Sequence, residues 1–276
     1  MKLIKYLVGF GALLAMLFSV GAAKAQTTRL KVASWNVLSF EQEDKSGERA
    51  GFPVEPFVEL IQEINPDVLV LNEFETASGR MGKEKMAEMA SKLGMYSYFV
   101  ESYPKNAGYY GNVILSKFPI VSSASKLFTF KHRRGEGYYD HNEGYEYYEY
   151  GSDQRSIGYI DILVPAGNSQ RIIRVAGTHL DHVSDSNAKE YYQDPETVEF
   201  LSLNNPPYPT ILMGDLNVMR LTQLPLIYDL ADQCVNDWLD YVLTFPKGKF
   251  IASDSGTHYS GNLSDHNAVY VTVEVK

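Results

Sequence analysis

The chain predicts one α/β domain in which two stacked sheets are covered by helices. Three observations carry that expectation. Short, β-branched apolar runs recur along the whole length. Some are apolar throughout and others alternate, a mixture that suits sheets packed face to face beneath helices. Amphipathic helical stretches interrupt them, with no repeat, linker or break in composition to divide the chain. With 276 residues, 45% of them hydrophobic, the chain can bury one large core and does not have the composition of a disordered protein.

Residues 1–25 stand apart from the fold. Lys2 and Lys5 precede an apolar run over 6–20, and Ala23-Lys24-Ala25 forms a small-x-small cleavage site. This is the layout of a signal peptide cut near Ala25. An N-terminal membrane anchor is the alternative, but the run is short for a span. A periplasmic or secreted protein is expected, with residues 26–276 as the domain and no transmembrane anchor in the mature chain. Cleavage would remove three lysines and no acid, taking the formal charge from −9 to −12. Such a surface repels polyanions at long range, so nucleic acid is possible but disfavoured as a partner. The single Cys234 excludes an internal disulfide and is expected to behave as a small buried hydrophobe.

Taken in order, residues 30–37 read as a strand and 56–64 as a helix, with Pro56 in its first turn and Pro66 as its stop. Residues 67–71 form a short apolar strand. A second helix covers 83–93, where Met86, Met89, Ala90 and Leu93 fall at helical spacing and Gly94 ends it. Strands follow at 112–116, 157–164, 171–178, 210–213, 239–244 and 268–275. Helical stretches fall at 190–203 and 224–231.

Polar motifs sit at the ends of these apolar runs: Ser34-Trp35-Asn36, Asn72-Glu73, Thr178-His179-Leu180-Asp181, Gly214-Asp215-Leu216-Asn217 and Ser264-Asp265-His266. They supply amides, carboxylates and imidazoles but no thiolate, a donor set for a hard divalent cation beside a phosphate. Each alone also has a structural explanation: Glu73 as a surface acid after a strand, Asp215 and Asn217 as an Asx-turn. Residues two apart in a strand tail face one side, so Asp215 and Asn217 would share a site. Gly214 would permit close backbone approach. Asp240 is placed to orient an imidazole such as His266, and His179 is free to donate to a phosphate oxygen.

Together, and in this order, these motifs resemble the endonuclease/exonuclease/phosphatase superfamily of DNase I-like metal-dependent hydrolases, over residues 30–275. Asn72-Glu73 stands where the family usually has Gln-Glu, and residues 111–120, Gly-Asn-Val-Ile-Leu-Ser-Lys-Phe-Pro-Ile, match a further family segment. The resemblance implies a four-layer αββα sandwich with the site at one edge of the two sheets. It implies Mg²⁺ or Mn²⁺ at Glu73, with Asn36 and Asp265 close by. Asp215 would activate water and Asn217 would help to hold it. His179 and His266, the latter with Asp240, would stabilise the transition state. Arg155, more weakly matched, with Asn112 and Tyr110, would contact substrate. A secreted bacterial phosphodiesterase or phosphatase acting as a monomer on a small or lipid-linked phosphoester is the expectation; a secreted nuclease and a non-catalytic binding module are the alternatives. The segment 131–150, with the cluster Lys131-His132-Arg133-Arg134 and six tyrosines from Tyr138 to Tyr150, reads as a substrate-covering hairpin or as an ordinary exposed one.

Overall fold

Two mixed six-stranded sheets stack face to face, and helices cover the outer side of each. The computed structural model describes residues 28–43, 49–51, 53–76, 85–105, 108–129, 154–182 and 192–276. The leader and the segment 131–150 lie outside them.

The first half of the chain runs β1 (Thr28–Asn36), β2 (Glu41–Glu43), β3 (Arg49–Gly51), α1 (Glu55–Ile64), β4 (Val68–Glu75), α2 (Lys85–Leu93), β5 (Tyr96–Lys105), β6 (Gly108–Ser116) and β7 (Ile120–Leu127). The second half runs β8 (Ser156–Ala166), β9 (Ser169–His179), α3 (Asp194–Leu201), β10 (Thr210–Asp215), α4 (Pro225–Leu230), β11 (Asp232–Asp237), β12 (Asp240–Phe245), β13 (Phe250–His258) and β14 (Ala268–Val275). Strand order is β13-β14-β1-β4-β6-β5 in one sheet and β11-β12-β10-β9-β8-β7 in the other, with β2–β3 a separate ribbon.

Three apolar layers separate the four structural ones. Val32, Val70, Ile114, Val175, Ile211 and Val271 meet between the sheets. Trp35, Phe57, Ile61, Leu71 and Met89 fill the space beneath α1 and α2. Val198, Leu201, Leu212, Ile227 and Leu243 do the same beneath α3 and α4. Central strands are thus buried on both faces, which is why they read as nearly continuous apolar runs. The methionine stripe of α2 belongs to this core, with Met89 fully buried. No helix among the described residues is long and apolar enough to cross a membrane.

Two sequence expectations are adjusted. Helix α1 stops at Asn65, whose left-handed φ of 51° lets its N–H reach the Ile61 carbonyl at 2.8 Å, one residue before Pro66. The strand expected at 67–71 continues to Glu75 through a β-bulge after Leu71. Strands β5, β7, β11 and β13, the four sheet edges, were not foreseen; β7 and β13 are exposed along most of their length and rich in serine.

Register then decides what meets at the strand ends. In β1–β4, Asn36 pairs with Asn72; in β9–β10, His179 pairs with Asp215; in β10–β12, Asp215 pairs with Asp240.

Candidate active site

The β4 bulge aims Glu73. Val70 faces the inter-sheet core and Leu71 the helical layer, so strict alternation would send residue 73 toward the helices. The bulge, with Glu73 at a φ of 53°, turns its carboxylate into the cleft while Phe74 resumes the helix-facing position. Glu73 therefore emerges from within a strand rather than at its end. Asn36 Nδ2 donates to both Glu73 Oε1 (3.1 Å) and Asp215 Oδ2 (3.2 Å), holding the two acids together. The Asn36 side-chain Oδ1 accepts the Leu38 N–H at 3.0 Å.

Asp215 and Asn217 meet both sequence readings at once. The Asn217 N–H donates to Asp215 Oδ1 at 2.9 Å, an Asx-turn, and both side chains line the cleft. Gly214, with φ 144°, comes so near β9 that an added Cβ would sit 1.9 Å from the Thr178 carbonyl oxygen. Beneath it, the fully buried Asn72 joins the two sheets. Its Nδ2 donates to Asn112 Oδ1 and the Thr178 carbonyl, each at 2.8 Å, and its Oδ1 accepts the Asp215 N–H at 3.0 Å. Asn112 is buried under Asn72 and is not among the residues lining the cleft, so its position is that of a support rather than a substrate contact.

Two imidazoles approach Asp215 from different sides. His179 Nε2 lies 3.4 Å from Asp215 Oδ2, and His266 Nε2 lies 3.8 Å from the same oxygen. Arg155 Nη1 sits 2.9 Å from His179 Nδ1, and Nη2 sits 3.3 Å from His182 Nδ1. On the other side His266 Nδ1 is 2.5 Å from Asp240 Oδ2. The loop carrying His266 is pinned by buried Trp35, whose Nε1 donates to the His266 carbonyl at 3.0 Å. Ser264 Oγ also donates to the Asn36 carbonyl at 2.6 Å.

Burial pushes Glu73 above the usual carboxylate range; the Asn36 hydrogen bond and Arg155 oppose it, while Asp215 and Asp265 add to it. Asp215 is raised by burial too, against the charge of His266 and hydrogen bonds from Asn217 and Asn36. Burial carries Asp240 up to about 7 despite its bond to His266. For His266 burial acts downward, but the hydrogen bond and charge of Asp240, with Asp215 and Asp265, lift it to about 9. The Asp240–His266 pair therefore keeps a proton at neutral pH.

Among the described residues no group of three or more His, Cys, Asp or Glu forms a ready cage for a metal. Magnesium, however, is commonly held by one or two carboxylates together with substrate phosphates. Glu73 and the exposed Asp265 fit that arrangement, with Asn36 ordering Glu73 through its amide nitrogen. A cation there would also offset the mutual repulsion of Glu73, Asp215 and Asp265.

The cleft has a volume of about 370 Å³, and motif reading missed part of its wall. Tyr110, anticipated, stacks on Tyr103 with ring centroids 4.9 Å apart, and Lys105 lies over the Tyr110 ring at 4.9 Å. Lys105 pairs with buried Glu75 at 2.6 Å. His182, Trp238, Leu239, Leu38 and Ser39 complete the lining. Trp238, two residues before Asp240, and His182, beside the Thr178–Asp181 motif, had neighbours that pointed to them; Tyr103 and Lys105 had none. Leu38, Ser39, Glu73, Asn217 and Trp238 all have positive φ, a concentration of left-handed backbone around one cleft. Each such non-glycine costs about 1 kcal/mol or more, and strain of this kind gathers at functional sites. Cys234 is half-buried on β11, its thiol raised by burial, away from the cleft.

The sequence matches the profile of the Endonuclease/Exonuclease/phosphatase family over residues 33–266. No curated protein sequence matches the chain. Among solved structures, an endonuclease/exonuclease/phosphatase from Beutenbergia cavernae DSM 12333 superposes with a TM-score of 0.64 at 22% identity, over 90% of this chain and 72% of that one. The human Nocturnin catalytic domain with bound sulfate gives 0.63 at 16% identity, over 90% and 94%. A mannosyl-6-phosphatase from Bacteroides thetaiotaomicron VPI-5482 gives 0.56 at 15% identity, over 88% and 99%. At these identities the likenesses establish the fold, a DNase I-like α/β sandwich. The profile match, spanning both walls of the cleft from β1 to His266, makes the chain a member of the endonuclease/exonuclease/phosphatase family, whose chemistry is phosphoester hydrolysis.

Proposed function

We propose that this protein is a divalent-metal-dependent phosphoester hydrolase acting on a small or lipid-linked phosphoester. The observation that carries the proposal is the convergence on Asp215 of an amide, two imidazoles and a second acid from four different strands and loops. Asp215 accepts the proton of the attacking water; burial raises its proton affinity, which strengthens it as a base. Asn217 borders the same space. Arg155 and His179 bind the phosphate oxygens, and protonated His266, held by Asp240, supplies a charged donor to the developing oxyanion. Glu73 and Asp265 would hold Mg²⁺ or Mn²⁺, which would supply positive charge to the phosphoryl oxygens. Asn112 supports Asn72 from below.

A net charge of −9 and a cleft whose lysine is already paired with Glu75 favour a compact substrate over a long polyanion. The leader-like sequence of residues 1–25 supports an exported protein, and we take it to act as a monomer. The test is hydrolysis of p-nitrophenyl phosphate, bis-p-nitrophenyl phosphate, sphingomyelin, sugar phosphates and plasmid DNA with Mg²⁺ or Mn²⁺, repeated with EDTA and with Asp215→Ala. Turnover lost under both conditions is expected. A fully active Asp215→Ala protein would overturn the mechanism, and plasmid cleavage as the best reaction would move the assignment to a nuclease.

A further inference from the structure

Trp238 is conspicuous for three independent reasons. The residue is 51% exposed although it borders the cleft. Its backbone is left-handed at φ 49°, a conformation unfavourable for a large side chain. Its ring stands 4.8 Å from that of His266 at an interplanar angle of 38°, directly beside the charged donor. Neither the catalytic network nor the core uses the indole: it lies in the turn joining β11 and β12, and its outer face meets solvent.

The cleft gives that face a direction. Strand β11 packs over β13 and β14, and β5 packs over β7 and β8, so the two sheets are aligned edge to edge. Trp238 therefore stands at one end of the row of strand tips, and the stacked pair Tyr103–Tyr110 stands toward the other, with Asp215 and the imidazoles between. A phosphorus held at Asp215 puts its ester oxygen, and the carbon skeleton behind it, within the reach of one of these aromatic walls.

We infer that Trp238 is a specificity-determining platform that stacks on the ring of a sugar- or nucleoside-type phosphoester and so selects ring-bearing substrates over open-chain ones such as glycerol or choline phosphates. This rests on the hydrolase assignment for its kinetic consequence, but stacking is measurable without turnover. Aromatic faces accept sugars and bases through dispersion and π contact, and truncation of such a platform typically costs about 5- to 100-fold in binding.

In the kinetic arm, kcat/KM is measured with Mg²⁺ for glucose 6-phosphate, adenosine 5′-monophosphate and glycerol 1-phosphate. Trp238→Ala is expected to lower the ratio of ring to open-chain kcat/KM at least 10-fold, chiefly through KM, and Trp238→Phe to restore most of it. Whichever ring substrate suffers the greater loss identifies a sugar or a base as the preferred occupant. An unchanged ratio overturns the inference. So does an equal loss on all substrates with a shifted alkaline pH limb, which would make Trp238 a positioning residue for His266. In the binding arm, emission excited at 295 nm is followed, since the chain's other tryptophan, Trp35, is fully buried. Saturable quenching by adenosine 5′-monophosphate, weaker with glycerol 1-phosphate or inorganic phosphate and lost in Trp238→Phe, is expected; equal quenching by inorganic phosphate alone overturns it. Quenching without turnover of any phosphoester would sink the hydrolase assignment and leave the platform standing.

Discussion

The two walls of the cleft each present an imidazole to Asp215, and they set it against neighbours of opposite charge. His179, at the end of β9, faces the Arg155 guanidinium through Nδ1 at 2.9 Å. A guanidinium only donates, so Nδ1 is placed as an acceptor, while Nε2 lies 2.9 Å from Asn217 Nδ2 and 3.4 Å from Asp215 Oδ2. His266, ahead of β14, faces a carboxylate through Nδ1 and is lifted to about 9. The same side chain thus has a cation behind it on one wall and a carboxylate behind it on the other. The neighbour behind the ring sets its role, and the two neighbours come from different strands and loops of the second sheet.

The largest expected effect removes the group both imidazoles share. Asp215→Ala should lower kcat by about 10³-fold or more with the fold preserved, measured by kcat beside circular dichroism; a loss under tenfold would break the convergence on Asp215. Next, Asp240→Asn converts the charged wall into a neutral one and should cost about 10²- to 10³-fold. The sign of its pH effect follows from the raised value: His266 is protonated below about 9 and loses its proton as pH rises through it. Without the Asp240 charge the alkaline limb of kcat/KM should move down toward the ordinary histidine value of about 6.5. A limb that stays near 9 would detach His266 from Asp240. Third, Arg155→Met removes the cation behind His179. A fall of about 10²-fold in kcat/KM is expected; a loss under threefold would show that Arg155 neither binds the phosphate nor holds the ring. Smallest is Asn72→Ala, which touches neither imidazole but removes the amide joining the sheets beneath Asp215. Thermal or denaturant unfolding should show a loss of about 2 kcal/mol, with kcat reduced about tenfold or less, separating the floor of the site from its walls.

How much of this was legible in the chain depends on burial. The eight interior strands, β1, β4, β6, β8, β9, β10, β12 and β14, are covered on both faces, so their sequences are apolar runs that local reading finds. The edge strands β7 and β13 carry Ser-Ser-Ala-Ser and Ser-Asp-Ser-Gly, sequences that resemble loops and become strands only by pairing with β8 and β14. The motif residues Asn36, Glu73, His179, Asp215, Asn217, Asp240 and His266 stood out because polar groups had to break those apolar runs. Tyr103 and Lys105 did not, since an edge strand offers no such contrast.

The sequence by itself therefore determined the alternation of buried strands and helices, and with it which polar residues sit near the ends of the central strands. The reason is local: burial on both faces leaves a compositional signature in every central strand. Only the tertiary structure decided that Asn36 bridges Glu73 and Asp215, 179 positions apart in the second case. The same holds for Asn112, which serves Asn72 rather than the substrate, and for Trp238, which stands over His266. Those outcomes depend on strand register, one bulge and the stacking of two sheets, which are properties of pairs of distant segments that no single stretch of chain contains.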